Sequence, residues 1–343
     1  MAKTVRLADI AEKVGVSVVT VSKAIRGKDG VSEELRTQIL SLAEEMGYEA
    51  KSSAENETEH DSYIIGILTS YRYLERGSSF YWSLYERLLT QLSVNGDFGF
   101  LEVISAEDEE KISVPRIVQE RHADGLIVMG KLEDDYIKML NTLHVPFTML
   151  DSYQVRYPYD TVISDGYYGM CAMTDYLIEM GHKKIFFIGT IGETSSITDR
   201  YFGYCRAMTE AGIPVTNDML LPDRNAEGKI EISLPEDIAE RATALVCNCD
   251  FTAYAVFQKL TAMGIRVPED ISLVGFDNYI LSEMSSVKIT TYAVNQDGMA
   301  EVSAQQIRER IKNPDSKQRI QTIGGEIMLR ESVKKLSETA FAK

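Results

Sequence analysis

Residues 5–27 read VRLADIAEKVGVSVVTVSKAIRG. Leu7, Ile10, Ala11 and Val14 fall at i, i+3, i+4 and i+7, which gathers an apolar stripe on one face of a helix over 7–14. Gly15 follows, the residue that best tolerates the positive φ of a tight helix exit. Ser17 is placed to cap a second helix over 18–25, which ends at Gly27. A third helix is expected from Ser32: Glu33 and Glu34 suit its N-terminal dipole, and Leu35, Ile39, Leu42, Ala43 and Met46 form its inner stripe. Three such stripes close one small core. Helix, glycine turn, helix is the pattern of a DNA-binding helix-turn-helix. Ser17, Thr20, Ser22, Lys23 and Arg26 supply hydroxyls and cations suited to phosphate oxygens, with Val18 and Val19 at the leading end to meet base edges. Apolar side chains read thymine methyls, so direct readout at that end is modest. The alternative for this stretch is a small helical bundle that touches no nucleic acid.

The net charge of −16 argues against a generic nucleic-acid binder, but the cations are placed unevenly. Lys3, Arg6, Lys13, Lys23, Arg26 and Lys28 stand against only Asp9 and Glu12 in residues 1–28, which confines the positive field to the face that would meet DNA. The chain has 343 residues, 44% hydrophobic and 26% charged, room for two or three globular domains. No apolar run reaches the ~18 residues of a membrane span and no charged and apolar leader opens the chain, so a cytoplasmic protein with no membrane contact is expected. Cys171, Cys205, Cys247 and Cys249 are too irregularly spaced for a disulfide framework or a four-ligand zinc site.

Residues 49–62, EAKSSAENETEHDS, lack any strong apolar residue and read as a linker. From Tyr63 onward, short apolar runs alternate with amphipathic stretches: YIIGIL, FGFLEV, GLIVMG, PFTMLD, KIFFIG, ALVCN and SLVGFD. Their spacing suits βαβ crossovers, hence an α/β protein with parallel sheets covered on both faces. Two consecutive sets of roughly 100 to 150 residues fit better than one. Ligands of open α/β sheets sit beyond the carboxyl ends of strands, so two facing sheets make a cleft.

LADIAEKVGVSVVTVSKAIRG followed by VSEELRTQILSLAEEMGYE resembles the DNA-binding headpiece of the lactose/galactose repressor family, and the likeness continues more loosely over nearly the whole chain. The resemblance implies a helix-turn-helix domain over 1–48, a linker over 49–62, and a two-lobed core over 63–343 similar to periplasmic sugar-binding proteins. Lobe 1 would take about 63–161 and 294–322, and lobe 2 about 162–293 and 323–338. It also implies a homodimeric repressor on double-stranded operator DNA, with a small effector, a sugar, held between the lobes and no cofactor. Val18, Val19 and Lys23 then occupy base-reading positions, and Ser17, Thr20 and Ser22 backbone-positioning ones.

In the core, Asp151, Arg200 and Asp277 match family positions that line the cleft, where carboxylates and a forked guanidinium each hold neighbouring hydroxyls. Ser196 belongs to the same expected lining. Cys249 replaces a family asparagine, and Asp250 matches an acidic residue that starts and caps the next helix. Arg200 is expected at a helix start whose inner face is Phe202, Cys205, Ala207 and Met208, with Asp151 and Asp277 opposite; the bland alternative is a surface pair with Asp199 or Glu193. Tyr71 and Phe80 are expected at the ligand, whereas Tyr81, Trp82 and Tyr85 are assigned to packing.

Two stretches depart from the family pattern. The linker lacks the hinge residues, including the leucine that wedges into the minor groove. Residues 222–242, PDRNAEGKIEISLPEDIAERA, lack the aromatic-bearing loop that supplies a stacking residue from the second lobe. Catalytic motifs are absent: no GxSxG, phosphate loop, GxGxxG or HExxH occurs, and His60, His122, His144 and His182 have no partner cluster. A sugar-transport binding protein would need a secretion signal. A carbohydrate-active enzyme would need Asp151 and Asp277 as paired carboxylates, and it would leave the helix-turn-helix without a role.

Overall fold

The computed structural model describes residues 7–16, 18–25, 31–46, 62–74, 79–157, 159–225 and 228–336, in two compact units, 1–60 and 61–343. The first unit holds α1 (Leu7–Val14), α2 (Val18–Ile25) and α3 (Glu33–Glu45). Gly15 takes the turn at φ 74°, its amide donating to the Ala11 carbonyl at 3.0 Å. Ile10, Ala11, Val21, Ala24, Ile39 and Ala43 close the core, with Val14, Leu35, Leu42 and Met46 packed on it. Ser32 receives the Leu35 amide and so caps α3, and Arg36 donates to the Ala24 carbonyl at the end of α2 (3.1 Å). So small a unit buries a modest share of its surface, and these end contacts matter correspondingly more. Thr20 is half-buried on α2. Ser17, Arg26 and the linker up to Asp61 lie outside the described residues, as do the side chains of Val18, Val19, Ser22 and Lys23.

The second unit begins with β1 (Ile64–Ser70), α4 (Ser79–Val94), β2 (Phe98–Ile104), α5 (Ala106–Lys111), α6 (Arg116–Gln119), β3 (Gly125–Met129), α7 (Asp134–Thr142), β4 (Phe147–Leu150) and β5 (Asp160–Ser164). It continues with α8 (Gly166–Glu179), β6 (Ile185–Ile188), α9 (Ser195–Glu210), β7 (Leu220–Leu221), α10 (Ile238–Arg241), β8 (Ala244–Cys247), α11 (Asp250–Ala262), β9 (Ser272–Asp277), α12 (Leu281–Met284) and β10 (Thr290–Ala293). The chain then adds α13 (Gln296–Lys312), β11 (Ile320–Ile323) and β12 (Glu326–Met328). Two six-stranded sheets result, ordered β11-β5-β4-β3-β1-β2 and β12-β10-β9-β8-β6-β7, with β12 the antiparallel strand. Each is apolar on both faces, as near-continuous runs such as GLIVM and IFFI require. One shared cluster (Ile65, Leu88, Met173, Phe187, Met299) covers one face of each sheet, and separate clusters around Tyr136 and Phe257 cover the opposite faces.

The chain passes between the sheets after Ser164, Ala293 and Ile323. The first passage falls a little later than the expected boundary at about 161/162, because Val162 pairs with both β4 and β11 and Ile163 and Ser164 still pair with β11. Asp160, at the head of β5, is buried and held by Arg310 Nε (2.6 Å) and the Arg319 amide (2.9 Å), a polar strand start stabilised by groups some 150 residues away. At the other passages the backbones nearly touch: a Cβ on Gly325 would stand 2.1 Å from the Ala293 carbonyl oxygen, and the Gly325 amide donates to Tyr292 Oη at 2.8 Å.

Candidate ligand cleft between the two sheets

The carboxyl ends of β1, β3 and β4 face those of β6, β8 and β9, and polar side chains join them. From the first lobe, Lys131 Nζ donates to the Glu193 carbonyl at 2.9 Å and Tyr153 Oη to Asp199 Oδ1 at 2.8 Å. Between these bridges lie the charged groups. Asp151, one residue past β4 with φ 60°, is buried and accepts from Tyr81 Oη at 2.8 Å. Arg200 donates through Nη2 to Asp277 Oδ1 (2.9 Å) and through Nη1 to the Asn248 carbonyl (2.6 Å), while its guanidinium lies 4.0 Å from the Phe276 ring centroid. Arg200 Nε is buried without a hydrogen-bond partner.

One guanidinium thus serves two carboxylates. Burial pushes the Asp277 carboxyl up to about 6, against the pull of Arg200 and with the charge of Asp151 adding to the rise. Burial likewise raises Asp151, only partly countered by Arg200 and by the Tyr81 and Ser164 hydroxyls. Burial works to lower Arg200, yet Asp277 and Asp151 hold it above its ordinary value, so it stays charged. Cys249 is the cap of α11, its sulfur accepting from the Thr252 amide at 3.5 Å; burial and the nearby Asp277 push its thiol up to about 11, so it is neutral.

Asp151, Arg200, Asp277 and Cys249 therefore come together, with Asp277, one of the two carboxylates expected opposite Arg200, as its ion-pair partner, but two details differ. Arg200 sits in the second turn of α9 rather than at its start, because Thr194 is the cap. The inner face of α9 is Ile197, Arg200, Gly203, Tyr204, Ala207 and Met208, and Phe202 is 53% exposed, because the helix turns the Arg200 side toward β8 and β9. Ser196 shares a hydrogen bond with Thr194 in the first turn of α9.

Among the aromatics, Tyr81 leaves the packing role the sequence assigns it: it orients Asp151 and lies 4.6 Å from Tyr73, ring to ring. Phe80 packs edge-on against Tyr81, whereas Tyr71 is 43% exposed on the turn after β1, as is Trp82 on α4. Asp250 is the first residue of α11, buried against Thr291 Oγ1 and the Tyr279 amide, which makes it structural. His182 is structural too, placed between Thr243 and the Lys334 carbonyl. Sequence reasoning misses Tyr73, Lys131, Tyr153 and Asn248, and it offers Asp199 only as a surface partner for Arg200, whereas Asp199 accepts from Tyr153. The available signal was position, since Lys131, Tyr153 and Asn248 closely follow β3, β4 and β8. Among the described residues, no cluster of His, Cys, Asp and Glu fits a metal ion, and no helix is long and apolar enough to cross a membrane.

Comparison with known proteins adds to this geometry. Residues 6–50 match the family model described as bacterial regulatory proteins, lacI family, and residues 174–333 match that of a periplasmic binding protein-like domain. The HTH-type transcriptional repressor PurR of Vibrio vulnificus (strain CMCP6) is 27% identical over 334 residues, 96% of this chain and 98% of that protein. The transcriptional regulator CelR in complex with cellobiose is similar with a TM-score of 0.69 at 23% identity, over 96% of this chain and 99% of that one. The lac repressor dimer bound to operator and the anti-inducer ONPF gives 0.65 at 20% identity, over 97% and 100%.

Proposed function

We propose that this chain, whose residues 6–50 match the model of the lacI family of bacterial regulatory proteins, is a transcriptional repressor whose grip on operator DNA is set by a sugar held between its two lobes. DNA binding falls to the helix-turn-helix of residues 7–25, with α2 as the helix that enters the major groove. Lys23, Val18 and Val19 would face bases, and Ser17, Thr20, Ser22 and Arg26 phosphates. A homodimer would place two such helices on the half-sites of a pseudo-palindrome. The protein's place of work is then the cytoplasm, where DNA is.

The observation that carries the sensor half of this reading is the approach of Asp151 in one lobe to the Arg200–Asp277 pair in the other, near enough for their charges to act on one another. Paired carboxylates and a forked guanidinium suit vicinal hydroxyls, and an effector that bridges them stabilises one arrangement of the lobes over others. Asp151 and Asp277 act here as anchors for hydroxyls, and Arg200 supplies their shared counter-charge. Coupling between sugar and DNA is then worth about 1 to 3 kcal/mol, or roughly 5- to 150-fold in DNA affinity.

The test uses the full chain. Duplexes selected from a random pool are expected to share a pseudo-palindrome and to bind about a thousandfold or more tighter than scrambled DNA. Cellobiose and other mono- and disaccharides are then screened for thermal stabilisation and for a change in that affinity. Failure to enrich any sequence refutes the DNA reading, and sugars that stabilise the protein without altering DNA affinity refute the coupling.

A further inference from the structure

Resting on that reading of the cleft, we propose that the effector is an anionic sugar, its hydroxyls held by Asp151, Arg200 and Asp277 and its phosphate or carboxylate by Arg224 and Lys131. Two guanidinium nitrogens on this side of the molecule, Arg224 Nη1 and Arg200 Nε, are buried without an acceptor. Arg224 lies in the stretch after β7, where the family resemblance leads one to expect an aromatic. Its side chain is 16% exposed, and Nη1 is buried without a hydrogen-bond partner, 3.7 Å from Asp223 Oδ1. Asp223 has little left to offer: it is fully buried, Oδ1 accepts from the Thr190 amide (2.9 Å), and Oδ2 accepts from Asn248 Nδ2 (2.7 Å) and Thr252 Oγ1 (2.9 Å). The pair balances in charge while a guanidinium donor stays empty.

The position of that donor matters. Thr190 stands just past the carboxyl end of β6, so the Arg224 head is at the end of the sheet that faces the cleft. Lys131 reaches the same loop from the opposite lobe, and its acceptor there is a neutral carbonyl, that of Glu193. The Glu193 carboxylate is turned toward the Arg224 loop, where a Cβ on Gly228 would meet Oε1 at 3.4 Å. Deeper in the cleft Arg200 Nε is a second buried donor without an acceptor, on a side chain only 5% exposed. Buried donors of this kind are rarely left unpaired in a native protein. Guanidinium donors without acceptors, beside an ammonium whose acceptor is a neutral carbonyl, call for a ligand rich in anionic oxygens, and phosphate and carboxylate offer them in the geometry that a guanidinium fork matches. The polyol end of such a ligand meets the carboxylates and its anionic end meets Arg224 and Lys131, so the charges along the cleft set its orientation.

Calorimetry and thermal shift on the full chain, in low salt at pH 7.5, can use matched probes: glucose against glucose 6-phosphate and glucuronate, and ribose against ribose 5-phosphate. The anionic member of at least one pair is expected to bind about ten- to a hundredfold tighter than its neutral partner, the range for a hydrogen bond to a charged group. Whether the phosphate or the carboxylate is preferred identifies the source of the charge. Arg224→Ala is expected to bring the pair to parity, and Arg224→Lys to restore part of the difference. Lys131→Gln supplies an independent variant should Arg224→Ala fold poorly. Neutral sugars binding as tightly as their anionic partners overturns the proposal and leaves the sugar cleft standing. No binding by any sugar in a wider panel overturns both. Inorganic phosphate competing as well as the phosphorylated sugar reduces the site to a bare anion site and overturns it as well.

Discussion

Replacing Asp250 by asparagine should change how the stability of the sensor unit depends on pH. Asp250 is fully buried at the start of α11, where Oδ1 accepts from Thr291 Oγ1 and Oδ2 from the Tyr279 amide, both at 2.7 Å. Burial, aided by the charge of Asp277, pushes its carboxyl up to about 8. An unfolded chain would release that proton near pH 3.9. Between the two values the folded state holds a proton that the unfolded state has lost, so stability falls as pH rises, by about 1.4 kcal/mol per unit. The penalty is absent below the unfolded value and complete above the folded one; from pH 5 to 8 it accumulates to about 4 kcal/mol. Asparagine keeps the shape, can accept from Tyr279 and donate to Thr291, and carries no charge. Urea unfolding of both proteins at pH 5, 6, 7 and 8 should show the variant gaining on the wild type by about that amount across the range. Asp277, pushed up to about 6, contributes a slope of the same sign to both proteins, so most of it cancels in the difference. A difference that stays flat within ~1 kcal/mol from pH 5 to 8 would refute the reasoning, because Asp250 would then carry its charge in the folded protein.

Tyr153→Phe removes the bridge to Asp199 at 2.8 Å. At a half-exposed site that is worth ~1 kcal/mol, and spin labels across the cleft should report about a fivefold larger open fraction; an unchanged distance distribution would make the contact incidental. Gly325→Ala forces a Cβ against the Ala293 carbonyl and the Tyr292 ring at the passages between lobes, and should lower stability by about 1 to 3 kcal/mol in urea. A loss below ~0.5 kcal/mol would mean that the two segments can part freely. Lys23→Ala should weaken binding to a selected operator more than to random DNA, and equal losses on both would reassign Lys23 to phosphate.

The sequence by itself determined what neighbouring residues decide. The stripe of Ile10, Ala11 and Val14, the turn at Gly15 and the helix over 18–25 are set within a few positions, and the helices fall where periodicity places them. The same holds for the apolar strands from β1 to β9 that the runs announce, and for Asp151 and Asp277 at strand ends, since residues there face a cleft wherever parallel sheets oppose each other. Strands β5, β7, β10 and β11 carry no such signal: they are short or polar, and Asp160 is accommodated in β5 only because Arg310 and Arg319 arrive from a distant helix and loop. Only the folded chain shows that Arg200 also donates to the Asn248 carbonyl, that Tyr81 orients Asp151, that Lys131 and Tyr153 span the cleft, and that Arg224 keeps a buried donor empty. Each depends on which remote segments the three passages between lobes bring together, and local pattern has no access to that, because the energies that choose among such pairings are long-range burial and charge rather than the preferences of adjacent residues.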